Sequence, residues 1–156
     1  KAAGGAGGSG PSPTPGPGHF TLKPAAAATA STDSISKSLG RPAQTLIDAR
    51  AGARFRGEVE PLDPVAGHIP GALNRPFTDN FLPDGRFKPA AQLRAEFEQL
   101  LAGRAADSVV HHCGSGVTAT PNVLAMELAG LGRTTLFPGS WSEWSRLGRP
   151  VARGSE

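Results

Sequence analysis

One segment of this sequence combines a short buried strand, a glycine-rich loop and a helix in immediate succession. Residues 108–112 are interpreted as a short buried strand, Cys113 begins the loop with Gly-Ser-Gly behind it, and apolar residues recur at helical spacing over residues 117–131. Such a unit is typical of a sheet covered by helices. Ligands of open α/β sheets bind beyond the carboxyl ends of the strands, which is where Cys113 lies. The segment therefore predicts an α/β fold with Cys113 at its ligand-binding edge.

The rest of the chain continues the alternation of strands and helices. The predicted strands are residues 45–48, 72–74, 109–112 and 134–137. The predicted helices are residues 32–39, the stretch that Pro89 opens and Gly103 ends, residues 117–131 and residues 141–147. This order predicts a central parallel sheet flanked by helices.

Cys113 is the only cysteine of the chain, and the loop behind it provides a reactive setting. Inward-pointing N–H groups of a tight loop and a helix N-terminus both favour thiolate over thiol. The alternative is a buried core cysteine. Such a cysteine would not need the glycines that flank Ser115, whereas a loop that folds tightly around an anion does need them. A cysteine phosphatase is excluded, because Ala119 stands where that class has its phosphate-binding arginine.

Five motifs, in order, resemble the catalytic domain of rhodanese-family sulfurtransferases. They are Leu-Ile-Asp-Ala-Arg from Leu46, Arg-Phe-Arg-Gly from Arg54, Gly-His-Ile-Pro-Gly-Ala from Gly67, Cys-Gly-Ser-Gly-Val-Thr from Cys113 and Gly-Ser-Trp-Ser-Glu-Trp from Gly139. The loop is similar to that of 3-mercaptopyruvate sulfurtransferases, whereas thiosulfate-preferring members generally carry basic side chains there. The resemblance covers about residues 44–151 and implies a single rhodanese-like domain.

The resemblance also implies the site residues. Cys113 would be the nucleophile that becomes a persulfide, and Ser115 would help to activate it and would contact the substrate. Arg54 would bind the carboxylate of the donor, for which a planar guanidinium is suited. The other substrate-binding positions would be Gly114, Gly116, Val117 and Thr118. No metal and no organic cofactor is expected.

One position departs from the pattern. Animal-type 3-mercaptopyruvate enzymes carry a second substrate-binding arginine nine residues after the first, and Asp63 occupies that position here. A carboxylate cannot hold the carboxylate of the donor, so either another cation such as Arg56 substitutes or the donor preference differs. We expect 3-mercaptopyruvate as the donor, with thiosulfate as the alternative.

The histidines are expected to be structural. His111 and His112 precede the nucleophile, but neighbouring strand residues face opposite ways and neither position is catalytic in the resembled family. His68 is expected in a turn that re-enters the sheet. The histidines are too scattered, beside a single cysteine, to indicate a zinc site. Trp141 and Trp144 are interpreted as core anchors of the last helix.

The beginning of the chain differs from the rest in composition. It is rich in Gly, Pro, Ala and Ser, which predicts a linker over residues 1–31 and a catalytic rhodanese-like domain over residues 32–153. Proteins of the resembled family often hold two such domains in tandem. The resemblance therefore implies an N-terminal rhodanese-like domain as a partner.

Charge and hydropathy restrict the partners. The net charge is +3 and the basic residues are dispersed, so binding to nucleic acid is not indicated. No stretch of about 18 apolar residues predicts a membrane span. A lone cysteine suits a reducing compartment, which favours the cytoplasm. The expected partners are a small anionic sulfur donor and a thiol acceptor such as thioredoxin, or cyanide. The alternatives are a non-catalytic rhodanese binding module and a carrier that receives sulfur from a protein.

Overall fold

The structure is a computed structural model that describes Thr21 and residues 27–155. Its strands are β1 (Ala28–Thr29), β2 (Thr45–Asp48), β3 (Leu73–Asn74), β4 (Val109–His112) and β5 (Thr135–Leu136). Its helices are α1 (Thr32–Lys37), α2 (Gly52–Phe55), α3 (Ala90–Leu101), α4 (Thr120–Leu128) and α5 (Ser140–Arg146), with short 3-10 helices at Phe77–Asn80 and Ala106–Ser108. No helix in this part of the chain is long and apolar enough to cross a membrane.

The five strands form one sheet in the order β1-β5-β4-β2-β3, and every pair is parallel. The central pair is in register, with Thr45 opposite Val109 and Asp48 opposite His112. Both strands are buried along their whole length, including their polar residues Thr45, Asp48, His111 and His112. The α/β prediction is confirmed, and the central pair brings the ends of β2 and β4 side by side.

The sheet separates two hydrophobic clusters, because alternate strand residues point to opposite faces. Leu46 and Val110 belong to the cluster that contains Phe55, Phe137, Trp141 and Trp144. Ile47 and Val109 belong to the cluster that contains Leu93, Phe97, Ala125 and Met126. The two tryptophans are fully buried, and their indole N–H groups donate to the carbonyl oxygens of Val65 at 2.9 Å and Pro150 at 2.7 Å. They are core anchors, as expected.

Helix α4 is shorter than the sequence predicts. The expected helix covers residues 117–131, whereas the observed one begins at Thr120 and ends at Leu128. Residues 117–119 stay in the loop because Gly116 has φ +82° and turns the chain away from the helical path. At the other end Gly130 has φ +70° and ends the helix. Helix α2 was not predicted at all.

Strand β1 lies inside the segment that the sequence predicts as a linker. Ala28 and Thr29 pair with Thr135 and Leu136 of β5, so the chain already joins the sheet before residue 32. Residues 1–20 and 22–26 fall outside the described residues. The linker over residues 1–31 therefore stays a prediction for that part of the chain.

Candidate functional site

Cys113 lies directly after β4, beside the end of β2. The N–H of Ala49 donates to the carbonyl of His112 at 2.8 Å and thereby aligns the two strand ends. The Cys113 side chain is 1% exposed and packs against Ala49 and Ala119. The predicted nucleophile thus occupies the expected edge of the sheet, in apolar surroundings.

The beginning of helix α5 fixes the backbone of Cys113. The N–H of Cys113 donates to Oγ of Ser140 at 3.1 Å, and its carbonyl accepts from the N–H of Trp141 at 3.0 Å. Ser140 adopts φ +52°, unusual for a residue with a side chain, and its hydroxyl donates to the carbonyl of Phe137 at 2.9 Å. Ser140 was not predicted as a site residue, although it lies in the motif that begins at Gly139.

The loop after Cys113 leaves a row of backbone donors without protein acceptors. Within residues 27–155, the backbone N–H groups of residues 114–119 donate to no protein acceptor. Gly116 cannot be replaced without strain, since its φ is +82° and an added Cβ would overlap the carbonyl oxygen of Pro138. Backbone N–H groups that are left without a protein acceptor in such a loop can bind an anion.

The side chains of the loop are placed in different ways. Gly116 is buried and Gly114 and Thr118 are partly buried, whereas Ser115 is exposed and Val117 is 69% exposed. Among the described contacts, the Ser115 hydroxyl makes no hydrogen bond to Cys113. Its activating role therefore stays a prediction.

Arg54 reaches the loop from helix α2. A Cβ built on Gly114 would lie 3.6 Å from Nη1 and 3.7 Å from Nη2 of Arg54, so the guanidinium adjoins the loop backbone. Arg56, the other cation considered from the sequence, instead bonds Glu58 at 2.6 and 2.9 Å and is 40% exposed. Of the two arginines, Arg54 is the one placed to meet an anion beside Cys113.

A row of buried ion pairs holds Arg54 in place, and we call Asp48, Arg50, Glu60 and Arg54 the site ion-pair chain. Glu60 Oε1 accepts from Nη2 of Arg54 at 2.6 Å, and its Oε2 accepts from Nη1 of Arg50 at 3.2 Å. Arg50 then donates to Asp48 Oδ2 through Nη2 at 2.7 Å. Apart from Arg54, at 19%, these side chains are at most 3% exposed. Sequence reasoning missed Glu60, which links Arg54 to the sheet through Arg50 and Asp48.

Asp48 and Glu60, the two carboxyls of the site ion-pair chain, are ionised at neutral pH. Burial acts to raise the pKa of Asp48, but the charge and the hydrogen bonds of Arg50 act against burial, and the pKa is lowered overall. Burial also acts to raise the pKa of Glu60, and hydrogen bonds from Arg54 and from backbone N–H groups lower it overall. Arg54 is therefore held by a charged partner.

Asp63, which departs from the resembled pattern, lies at the same place. Its side chain is 2% exposed, and its Oδ2 is 3.6 Å from Nη2 of Arg54. Its Oδ1 is 3.9 Å from Nη2 of Arg146, which is 66% exposed. Oδ2 has no hydrogen-bond partner in the described part of the chain. The comparison with the resembled pattern identified Asp63 as a departure, but it did not predict that the carboxylate lies against Arg54.

The histidines next to Cys113 are buried and neutral. Burial, with smaller contributions from His112 and Arg75, lowers the pKa of His111 to about 3, and its Nε2 lies 3.2 Å from the sulfur of Met126. Burial also lowers the pKa of His112, although Asp48 Oδ2 is 3.9 Å away. His68 is buried as well and stacks on Phe55 with ring centroids 3.8 Å apart. These contacts are structural, as predicted.

A second charged cluster lies along helix α3, and we call it the Glu96 cluster. Glu96 accepts from Arg75 at 2.8 Å, from Lys88 at 2.9 Å and from Gln92 at 2.9 Å. Burial acts to raise the pKa of Glu96, but these donors lower it to about 2. Arg75, Lys88 and Glu96 line a surface pocket of about 540 Å³, and Cys113 is not part of the lining of this pocket. No group of three or more His, Cys, Asp or Glu residues that could hold a metal ion is found among the residues described.

Comparison with known families agrees with this geometry. A family model described as "Rhodanese-like domain" matches residues 31–147, which is most of the chain and includes Arg54 and the whole Cys113 loop.

This chain belongs to the rhodanese-like family.

Several relatives of this rhodanese-like chain carry sulfurtransferase names. A Pseudomonas aeruginosa protein named a probable 3-mercaptopyruvate sulfurtransferase is 52% identical over 136 residues, 86% of this chain and 48% of that protein. SseB of Mycobacterium tuberculosis, provisionally named a thiosulfate sulfurtransferase, is 49% identical over 115 residues, 71% of this chain and 39% of that protein. The solved structure of 3-mercaptopyruvate sulfurtransferase from Leishmania major is 35% identical, with a TM-score of 0.71 over 90% of this chain and 39% of that one. The chain thus spans about half, or less, of each of these relatives.

Proposed function

We propose that this chain is the catalytic domain of a sulfurtransferase that carries sulfur as a persulfide on Cys113. The observation that carries the proposal is the meeting of three features at one sheet edge. These are the only thiol, the unpaired N–H groups of residues 114–119 and the guanidinium of Arg54. The names of the relatives support the same class of reaction.

In the first half-reaction Arg54 holds the donor and Cys113 takes its sulfur. The carboxylate of 3-mercaptopyruvate binds the guanidinium through charge-assisted hydrogen bonds. The Cys113 thiolate attacks the donor sulfur, an S–S bond forms, and the C–S bond of the donor breaks. Its electron pair leaves on carbon as the enolate of pyruvate, which takes up a proton. With thiosulfate the same attack breaks the S–S bond of the donor and releases sulfite.

In the second half-reaction the outer sulfur passes to an acceptor. A thiolate of thioredoxin or of a small thiol, or cyanide, attacks the outer sulfur and the persulfide bond breaks. Its electron pair returns to Cys113 as thiolate. The loop N–H groups stabilise the negative charge that the sulfur atoms bear during both steps. Every step uses only groups that this chain, the donor and the acceptor supply.

We favour 3-mercaptopyruvate because the loop carries no basic side chain for a second negative charge. Thiosulfate is the second candidate, in line with the name of the mycobacterial relative. The proposal extends to an N-terminal rhodanese-like domain beside this one and to a reducing compartment such as the cytoplasm. A non-catalytic binding module is disfavoured by the presence of Cys113.

The test is mass spectrometry of the protein after incubation with each donor. The parent should gain the mass of one sulfur atom, and Cys113→Ser should gain none and should lose turnover entirely. Circular dichroism of the variant should match the parent. Alkylating the parent provides a matched chemical control, because the chain has no other thiol. Sulfur transfer by Cys113→Ser, or a parent that forms no persulfide with either donor, would refute the proposal.

A further inference from the structure

The charge beside the Cys113 loop is less positive than one arginine suggests. Asp48, Arg50, Glu60 and Arg54 form two acid–base pairs, so the site ion-pair chain is neutral as a whole. Asp63 is a further carboxylate, 3.6 Å from the same Nη2 of Arg54. A donor that binds Arg54 therefore meets a negative charge in addition to the cation that holds it.

The geometry of Asp63 is not that of a residue that positions Arg54. Glu60 already holds the guanidinium with two oxygens, at 2.6 Å and 3.3 Å. Asp63 stands outside hydrogen-bonding distance, yet its side chain is 2% exposed and its Oδ2 has no partner within residues 27–155. A buried carboxylate oxygen without a hydrogen bond is costly, which indicates a role beyond holding the fold.

We propose that Asp63 selects the donor by charge, favouring a singly charged sulfur donor over a doubly charged one. This inference rests on the proposed function, in which Arg54 binds the donor. 3-Mercaptopyruvate carries one negative charge while its thiol is protonated, and thiosulfate carries two. The repulsion from Asp63 grows with the charge of the donor, and at this range it lies within a Debye length of about 8 Å. Asp63 therefore disfavours thiosulfate more than it disfavours 3-mercaptopyruvate.

Arg146 opposes this effect from the surface. Its Nη2 lies 3.9 Å from Oδ1 of Asp63, and the side chain is 66% exposed. It compensates part of the carboxylate charge, and solvent screens it more strongly than the buried groups. Removing Arg146 should therefore strengthen the discrimination against thiosulfate, the opposite of the effect expected from removing the charge of Asp63. Because Arg146 is exposed, its replacement should not disturb the fold.

The experiment measures the rate of persulfide formation on Cys113 of the full chain with thiosulfate and with 3-mercaptopyruvate. Asp63→Asn should raise the ratio of the thiosulfate rate to the 3-mercaptopyruvate rate about fivefold, which corresponds to about 1 kcal/mol. Asp63→Glu keeps the charge and should leave the ratio within about twofold of the parent. The matched control is Asp84→Asn, which removes the same charge from an exposed pair with Arg86. It should not change the ratio.

Arg146→Gln should lower the same ratio about twofold, and its matched control is Arg133→Gln, whose side chain is 70% exposed. If circular dichroism shows that Asp63→Asn does not fold, Arg146→Gln decides, and an unchanged ratio then overturns the inference. The inference is also overturned if a folded Asp63→Asn changes both rates equally, or if Asp84→Asn shifts the ratio as much. These results leave the persulfide mechanism standing. Absence of persulfide from either donor on the parent refutes the proposed function itself.

Discussion

The site ion-pair chain and the Glu96 cluster both hold an arginine against a glutamate, but they differ in what they leave unsatisfied. Glu96 is surrounded by three donors, and Arg75 of that cluster also bonds Asn80 at 3.0 Å and covers the ring of Phe97. Beside Arg54 lie the unpaired N–H groups of residues 114–119 and the unpaired Oδ2 of Asp63. The charged groups of the Glu96 cluster are paired with one another, whereas the region around Arg54 has hydrogen-bond donors and a carboxylate oxygen without protein partners.

The comparison shows that a strongly shifted pKa does not by itself locate a site. Among the described glutamates, the pKa of Glu96 is the one that falls furthest, from the ordinary value of 4.5 to about 2. That shift results from structural ion pairs, which perturb pKa values as active sites do. Unsatisfied polar groups next to a nucleophile are the better indicator here, and variants of each region can test this.

The largest effect is expected from Arg75→Ala, and it should fall on stability alone. The change removes a buried guanidinium and leaves the carboxylate of Glu96 and the amide of Asn80 short of a partner. The loss of these bonds and of the contact with the ring of Phe97 should together cost about 3 kcal/mol in the free energy of unfolding. Urea unfolding measures this, and kcat/KM of the folded variant should stay within about twofold of the parent. A tenfold kinetic loss would mean that the Glu96 cluster contributes to activity.

Arg54→Ala should show the converse behaviour. Loss of the charge-assisted bonds to the donor should lower kcat/KM about thirtyfold, or about 2 kcal/mol in transition-state binding. Arg56→Ala is the matched control, since Arg56 is close in sequence but is paired with Glu58 away from the loop. It should change kcat/KM by less than about twofold. Equal effects of the two variants would break the distinction drawn between these arginines.

The smallest expected effect is on the stability of the fold at acidic pH. The folded pKa of Glu96 is about 2 and its ordinary value is 4.5, so its stabilising contribution is fully present above pH 4.5 and is lost as the pH falls toward 2. Because the side chain is 28% exposed, we expect Glu96→Gln to cost only about 1 kcal/mol at neutral pH. Urea unfolding at several pH values should show a weaker acid dependence for the variant than for the parent. Glu98→Gln, on the same helix but 53% exposed, serves as the control and should not weaken it.

Much of the fold could be predicted from the sequence because its central strands are fully buried. β2 and β4 have the predicted bounds, since each contains a pair of large aliphatic residues, Leu46-Ile47 and Val109-Val110, between loop-forming segments. Helix α2 is only Gly52–Phe55 and β1 only Ala28–Thr29, and neither is long enough to show a periodic pattern. Their positions depend on tertiary contacts that no local pattern encodes.

The site was predictable in its motifs and not in its charges. Cys113 and Arg54 were recognised from short sequence motifs, and the structure brings the Arg54 guanidinium next to Gly114. Glu60 carries no motif of its own, and its pairing with two arginines depends on how the loop after α2 folds back. The burial of Asp63 could not be foreseen either, because a charged residue in a loop is ordinarily solvated.

The anchoring of Cys113 by Ser140 affects the order in which the site can form during synthesis. Ser140 follows Cys113 by 27 residues and holds its backbone N–H. A growing chain leaves the ribosome from its N-terminus, so the cysteine emerges before the residues of α5 that anchor it. Until α5 has emerged and has docked, the backbone of Cys113 lacks the hydrogen bonds that fix its position in the folded domain. The Cys113 loop is therefore among the last parts of the domain to reach its final structure.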